Sequence, residues 1–311
     1  MELQVRSTYL NNKGPDPTSG LLYGFFENFN SEKTKIAYKK DLKDFFEFLK
    51  ANNHSIVVAR INIEHAVAYR NFLQRDKNFK DSTINRKVSS CSAFFEYLFK
   101  RQIVDKNIFN YVDRRKVGNV TKTRALQDHE VELVLKAWEG ETYNDLLYLA
   151  VLNVFFYTGI RKAELQSLKI KDLKQYSDFC SLILKTKGGE VVEKKLNNKA
   201  TEVVIKYLAK RIEDFGNIEE DAGLFVSSLG SGMISAGLID YIFKKTGEYT
   251  GIGSWLTPHV ARASFISHLL DKGIPIHKVS KEVGHKDIKT TLGYYNRIQK
   301  VENSLVSEVS Y

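Results

Sequence analysis

The sequence predicts a mainly α-helical protein with a small β-sheet, divided into two domains. Three observations carry this expectation. A chain of 311 residues is longer than one ordinary core requires. Apolar residues recur at helical spacing in two long blocks, separated by the polar, basic stretch 113–125. Between the helical patterns of the second block, residues 181–196 switch to two β-prone runs flanking Lys187-Gly188-Gly189, the signal of a hairpin.

Taken in order, residues 1–20 hold Pro15 and Pro17 among Asn, Gly and Ser, and read as a loose tail. Residues 21–112 form a helical domain. Ser31 is placed to cap a helix through Ile36, Tyr38, Leu42, Phe45, Phe46 and Leu49. A second helix carries Ala66, Val67, Tyr69 and Leu73, and a third starts near Ser82 and runs through Phe94, Phe95, Tyr97 and Leu98. Their aromatics read as core. Residues 113–125 are the interdomain linker; their charge suits either a solvated surface or the track of a phosphate backbone.

The second domain, 126–311, opens with the helical pattern ALQDHEVELVLKAW. An apolar helix from Asp145 to Tyr157 stops at Thr158-Gly159. After the hairpin, helices are expected over 198–215 and 235–246. Thr257 caps a helix with Pro258 at its first position, which ends near Gly273. A short helix runs from Pro275 to Gly284, and a last one begins about Asp287.

Composition narrows the function. Hydrophobic residues make up 43% of the chain, too many for wholesale disorder. The two cysteines, Cys91 and Cys180, lie far apart in apolar segments, so a disulfide scaffold or structural zinc is not expected, and a reducing cytoplasm suits the chain. The N-terminus lacks the apolar run of a signal peptide, and Leu146 to Ile160 is too short to span a bilayer. Net charge is +10. Residues 1–120 hold 21 basic and 13 acidic side chains, against 26 and 24 in the rest. A basic first third points to a polyanion, usually nucleic acid.

Four segments stand out together: YTGIRKAEL (157–165), TKGGE (186–190), HVARASFISHLL (259–270) and VGHKDIKTTLGYY (283–295). Alone, each is ordinary: an Arg after a Gly turn is commonly a surface residue, and Gly-His at a helix end commonly a C-cap. Their order and spacing resemble the catalytic signature of the tyrosine recombinase, or phage integrase, family. Arg161 lies in TGIRKAEL with Glu164 and Leu165; Lys187 begins the hairpin turn, with Leu196 nine positions on. His259 and Arg262 form HVAR, and Tyr294 stands nine residues after His285. Lys185 also fits a variant of the hairpin motif. Ala261 and Ala263 flank Arg262, and VGH replaces the usual LGH; neither changes a reacting group. SEKTKIAYKKDLKDFFEFL and STINRKVSSCSAFFEYLFKRQIVDKN resemble the family's helical, SAM-like core-binding domain. Coverage runs from about residue 20 to 300 and looks most like Xer-type recombinases and small mobile-element integrases.

The resemblance implies a helical core-binding domain and a mixed α/β catalytic domain that close around double-stranded DNA as a clamp. Four protomers would act in a synapse, alone or with a second recombinase, in the nucleoid. It implies catalytic roles for Arg161, Lys187, His259, Arg262 and His285, with Tyr294 as nucleophile forming a 3′-phosphotyrosine link and Glu164 in support. In the first domain, Lys33, Lys35, Arg86 and Lys87 are candidates for phosphate contact. Chemistry agrees: two guanidiniums suit the equatorial oxygens of an attacked phosphate. Tyrosine, with an ordinary pKa of about 10, needs a base or a positive field, which His259 and the arginines supply. The leaving 5′-oxygen needs a proton, a role for the hairpin lysine. No metal or other cofactor is called for, because arginines take the place of two-metal ions. Two rivals are a DNA-binding regulator without activity and a metal-dependent hydrolase using His259, His268, His277 and His285. The first leaves the full Arg–Lys–His–Arg–His–Tyr set unexplained, and the second lacks HExxH.

Overall fold

The computed structural model describes residues 17–114, 123–186, 189–228, 232–285 and 287–298. The chain divides into two compact units, 1–118 and 119–311.

The first unit is helical: α1 (Pro17–Phe26), α2 (Glu32–Ala51), α3 (Ile63–Arg75) and α4 (Asp81–Lys100), with short 3₁₀ turns at Val58–Arg60 and Ile108–Tyr111. Ser31 caps α2 by accepting from the Thr34 N–H. Asn62 and His65 cap α3 reciprocally, a capping box that uses an imidazole in place of the usual Glu. Phe45 is the hub of the core. Its ring meets Tyr69 at 5.0 Å and Phe109 at 5.3 Å, both edge-on, an arrangement that suits the ring quadrupoles. Helix α1 begins at Pro17, within the stretch expected as a tail, with φ preset for a first helical turn; residues 1–16 lie outside the described residues. Ile36, expected on the packed face of α2, is instead 63% exposed.

The second unit is built around α6 (Tyr143–Thr158), preceded by α5 (Asp128–Leu135). Helix α6 is apolar on all sides and buried along most of its length, as expected of a helix with neighbours all round. Next come α7 (Lys162–Ser167), a 3₁₀ turn at Ile170–Asp172, and strands β1 (Leu173–Gln175), β2 (Cys180–Lys185) and β3 (Val191–Lys195). The strands pair antiparallel in the order β1-β2-β3, with Lys185 opposite Val191 at the mouth of the hairpin. β1 has no counterpart in the predicted hairpin: three residues show no measurable alternation. Then follow α8 (Asn198–Phe215), α9 (Ala236–Tyr249), α10 (Pro258–Asp271), α11 (Ile276–Glu282) and α12 (Ile288–Ile298). Thr257 caps α10 through the Val260 N–H with Pro258 in its first turn. Cys91 and Cys180 are both buried free thiols.

Among the described residues, no helix is long and apolar enough to cross a membrane.

Candidate active site

Helix ends build the site. Helix α6 closes on Gly159, whose φ of 59° is left-handed; a side chain there would also strike the Phe265 ring, 2.5 Å from the Cβ position. Only glycine meets both demands. The reversed chain then presents Arg161 as the N-cap of α7. Glu164, 8% exposed, accepts from the Arg161 backbone N–H at 2.8 Å and from its guanidinium at 2.7 Å. The carboxylate therefore sets both the turn and the side chain.

The second guanidinium arrives from α10. Arg262 is 5% exposed and donates to the carbonyls of Gly159 and Val283. Arg161 donates to the next carbonyl but one from Glu282, that of Gly284. Helix α11 ends at this turn, where Gly284 has φ 63° and the His285 N–H returns to the Ser280 carbonyl at 2.9 Å. This Schellman-type closure fixes His285 beside both arginines. A guanidinium has five N–H donors, so these contacts orient each fork and leave donors for a phosphate.

Like charge and burial shape the electrostatics. Burial, and then the Arg161 charge, push the Arg262 pKa down to about 10, still charged at neutral pH. His285 is pushed down to about 4 by burial, and then by Arg262 and Arg161. His259 shifts the same way, from partial desolvation and the Arg262 charge. The cluster thus disfavours protonation of its two histidines, and an anion between the guanidiniums would relieve this. Thr291, fully buried on α12, pairs its hydroxyl with His285 Nδ1 at 2.8 Å. With Thr291 donating, the imidazole proton lies on Nε2, the atom left to donate to a phosphate. The Tyr294 ring lies nearly parallel to that of His285, with centroids 6.3 Å apart. Tyr294 is 4% exposed and packs with Ala263, Ile266, Leu270, Val279 and Val283.

His285 makes stability depend on pH. Its folded pKa lies below its unfolded value of about 6.5, so between pH 6.5 and 4 the unfolded chain binds a proton that the folded one refuses. This contribution is fully present above pH 6.5 and is lost as pH falls through that window. Allowing for partial exposure it is about 1–2 kcal/mol. The melting temperature of the wild type should fall more steeply between pH 7 and 4.5 than that of His285→Gln; parallel curves would contradict the shift.

The structure brings together Arg161, Glu164, Arg262, His285 and Tyr294, with His259 one helical turn before Arg262 on α10. Lys187 lies outside the described residues, and Lys185 ends β2 at the surface. In the first unit Lys33 is exposed, whereas Lys35 pairs with Glu27 and Glu32. Arg86, half exposed, also reaches Asp41. Lys87 requires correction as a DNA contact: its side chain is 4% exposed and its ammonium is held by Asp41 and Asp44. The physical reason is Asp41, a fully buried carboxylate that needs neutralising; Arg86, Lys87 and the Ser90 hydroxyl do so. Of the histidines proposed for a metal, His268 pairs with Asp128 on the surface at 2.9 Å. Among the described residues, no three His, Cys, Asp or Glu side chains are grouped to hold a metal ion.

The model of the phage integrase family matches residues 124–302, and that of the phage integrase N-terminal SAM-like domain matches residues 25–102. Tyrosine recombinase XerD of Oceanobacillus iheyensis is 28% identical over 266 residues, 85% of this chain and 87% of that protein. The fold is that of XerH site-specific recombinase bound to palindromic difH substrate in a post-cleavage complex. It has a TM-score of 0.71 and 18% identity, covering 89% of this chain and 80% of that one. A lambda integrase dimer bound to a COC′ core site gives a TM-score of 0.67 at 16% identity, covering 93% and 99%.

Proposed function

The chain belongs to the phage integrase family, and from that premise we propose that Arg161, Arg262 and His285 grip the scissile phosphate while Tyr294 attacks it. The protein is a tyrosine site-specific recombinase that cleaves and rejoins DNA. One observation carries the assignment of residues. Two guanidiniums converge on the carbonyls of one turn, and that turn carries the imidazole that stacks on Tyr294.

In the proposed step the Tyr294 oxygen forms a bond to phosphorus as the bond to the 5′-oxygen breaks in line. His259 takes the phenol proton. The arginines and His285 Nε2–H stabilise charge gathering on the non-bridging oxygens. The leaving 5′-oxygen takes a proton from the hairpin lysine, Lys187 or Lys185. The phosphotyrosine link keeps the bond energy, so religation is the same step reversed and requires neither metal nor nucleotide.

The partner is a double-stranded target site, and the synapse is proposed to hold four protomers, alone or with a second recombinase. Support comes from the basic charge of residues 1–120 and from the lambda integrase relative, which forms a dimer on its core site. The tail 301–311, proposed from its apolar spacing to pack on a neighbouring protomer, lies outside the described residues.

The test is covalent capture. A nicked duplex selected by binding to the protein should remain attached after denaturation, with excess chelator present. Loss of the adduct on chelation would return the metallohydrolase reading. Lysine substitution then identifies the acid. Lys187→Ala should cleave normal DNA poorly and recover when the 5′-bridging oxygen is sulfur, which leaves without a proton. Rescue of Lys185→Ala in its place would transfer the role to Lys185.

A further inference from the structure

On β3, Lys194 turns inward, with its side chain 8% exposed. Its ammonium donates to the Thr158 carbonyl at 3.1 Å, the Glu282 carbonyl at 2.5 Å and Glu282 Oε1 at 2.9 Å. Burial lowers its basicity, an effect the Glu282 carboxylate opposes.

These acceptors continue the pattern made by the arginines. Lys194, Arg262 and Arg161 take the carbonyls of Glu282, Val283 and Gly284 in turn. Lys194 and Arg262 also take those of Thr158 and Gly159. All five oxygens belong to the ends of α6 and α11. The last carbonyls of a helix have no partner within it and carry partial negative charge. Two such ends facing each other would repel; cations between them join them instead. Three cations share this space with the carboxylates of Glu164 and Glu282, and the carbonyl dipoles help to offset the excess.

We propose that Lys194 is a positioning residue of the phosphate site: it ties the end of α6, which leads to Arg161, to the end of α11, which leads to His285, and so sets the spacing of guanidiniums and imidazole. The proposal rests on reading those side chains as the phosphate grip. Arg262 makes the same tie one carbonyl further along, but its fork must also meet the DNA. Lys194 is committed to the protein alone.

The test uses the full chain with Lys194→Met, close in length but uncharged. Without DNA, the His285 imidazole followed by NMR should titrate about one pH unit higher, because the turn loosens and admits water. On a nicked duplex recovered by binding selection, adduct formation should slow about tenfold or more, with duplex affinity within about twofold of wild type. Lys194→Arg should restore part of both. A variant that merely lost stability would melt earlier without moving His285 in the folded protein. If Lys194→Met does not fold, Lys194→Gln, which keeps an amide donor, is read in the same two ways. A folded variant with an unmoved His285 overturns the tie, and a moved His285 with a wild-type rate overturns the positioning role. If the wild type itself forms no adduct, the recombination chemistry fails, and the His285 titration still decides the tie.

Discussion

Tyr294→Phe should bind target DNA as the wild type does and form no covalent adduct. The substitution removes one oxygen and keeps the ring that packs with Ile266 and Val279 and stacks on His285, so the apolar packing of α12 is conserved. The neighbouring Tyr295 is the control. Successive helical residues point about 100° apart, so only one of the pair can share the face that meets His285. In the structure Tyr294 occupies that face. Tyr295→Phe should therefore still form the adduct, and peptide mapping of a trapped product should place the DNA on residue 294. DNA on Tyr295 would sink the assignment. Tyr294 is 4% exposed, so its hydroxyl must turn to meet the phosphate, and the environment of this ring should change on DNA binding.

Arg262→Lys should produce the second large effect, lowering the single-turnover cleavage rate by about 10²–10³. Charge is conserved, so a purely Coulombic role would survive. Geometry is not conserved. The guanidinium spans the Gly159 and Val283 carbonyls while keeping N–H groups for the phosphate, and a single ammonium cannot hold both ends and the ligand. Buried carbonyls left unpaired should also reduce stability by about 1–3 kcal/mol. Arg161→Lys, at a side chain 35% exposed, should cost less stability while still impairing cleavage. Measured rates and melting temperatures separate the two effects. A wild-type rate in folded Arg262→Lys would remove Arg262 from the phosphate grip.

Much of this was legible locally. Helix caps at Ser31 and Thr257, the stop at Gly159 and the Gly284-His285 turn follow from backbone rules that act over a few residues. The role of Lys87 was not. Two basic neighbours on a helix look alike in sequence, yet Arg86 reaches the surface and Lys87 turns to buried Asp41. No motif marks Lys194 either. The alternation of β3 hints at an inward position, but a lysine there reads as solvated until its acceptors are known.

The sequence by itself determined the two-domain helical plan and the hairpin and singled out the candidate reacting groups, because capping, periodicity and motif spacing are short-range properties of the chain. Only the tertiary structure decided how those groups meet. Arg161 and Gly284 are separated by more than a hundred residues, as are Gly159 and Arg262, yet their hydrogen bonds join the end of α6, the start of α7, the body of α10 and the end of α11 into one site. The physical reason is that unpaired helix-terminal carbonyls must find donors. Which cations supply them depends on the packing of helices distant in sequence, not on residues nearby in the chain.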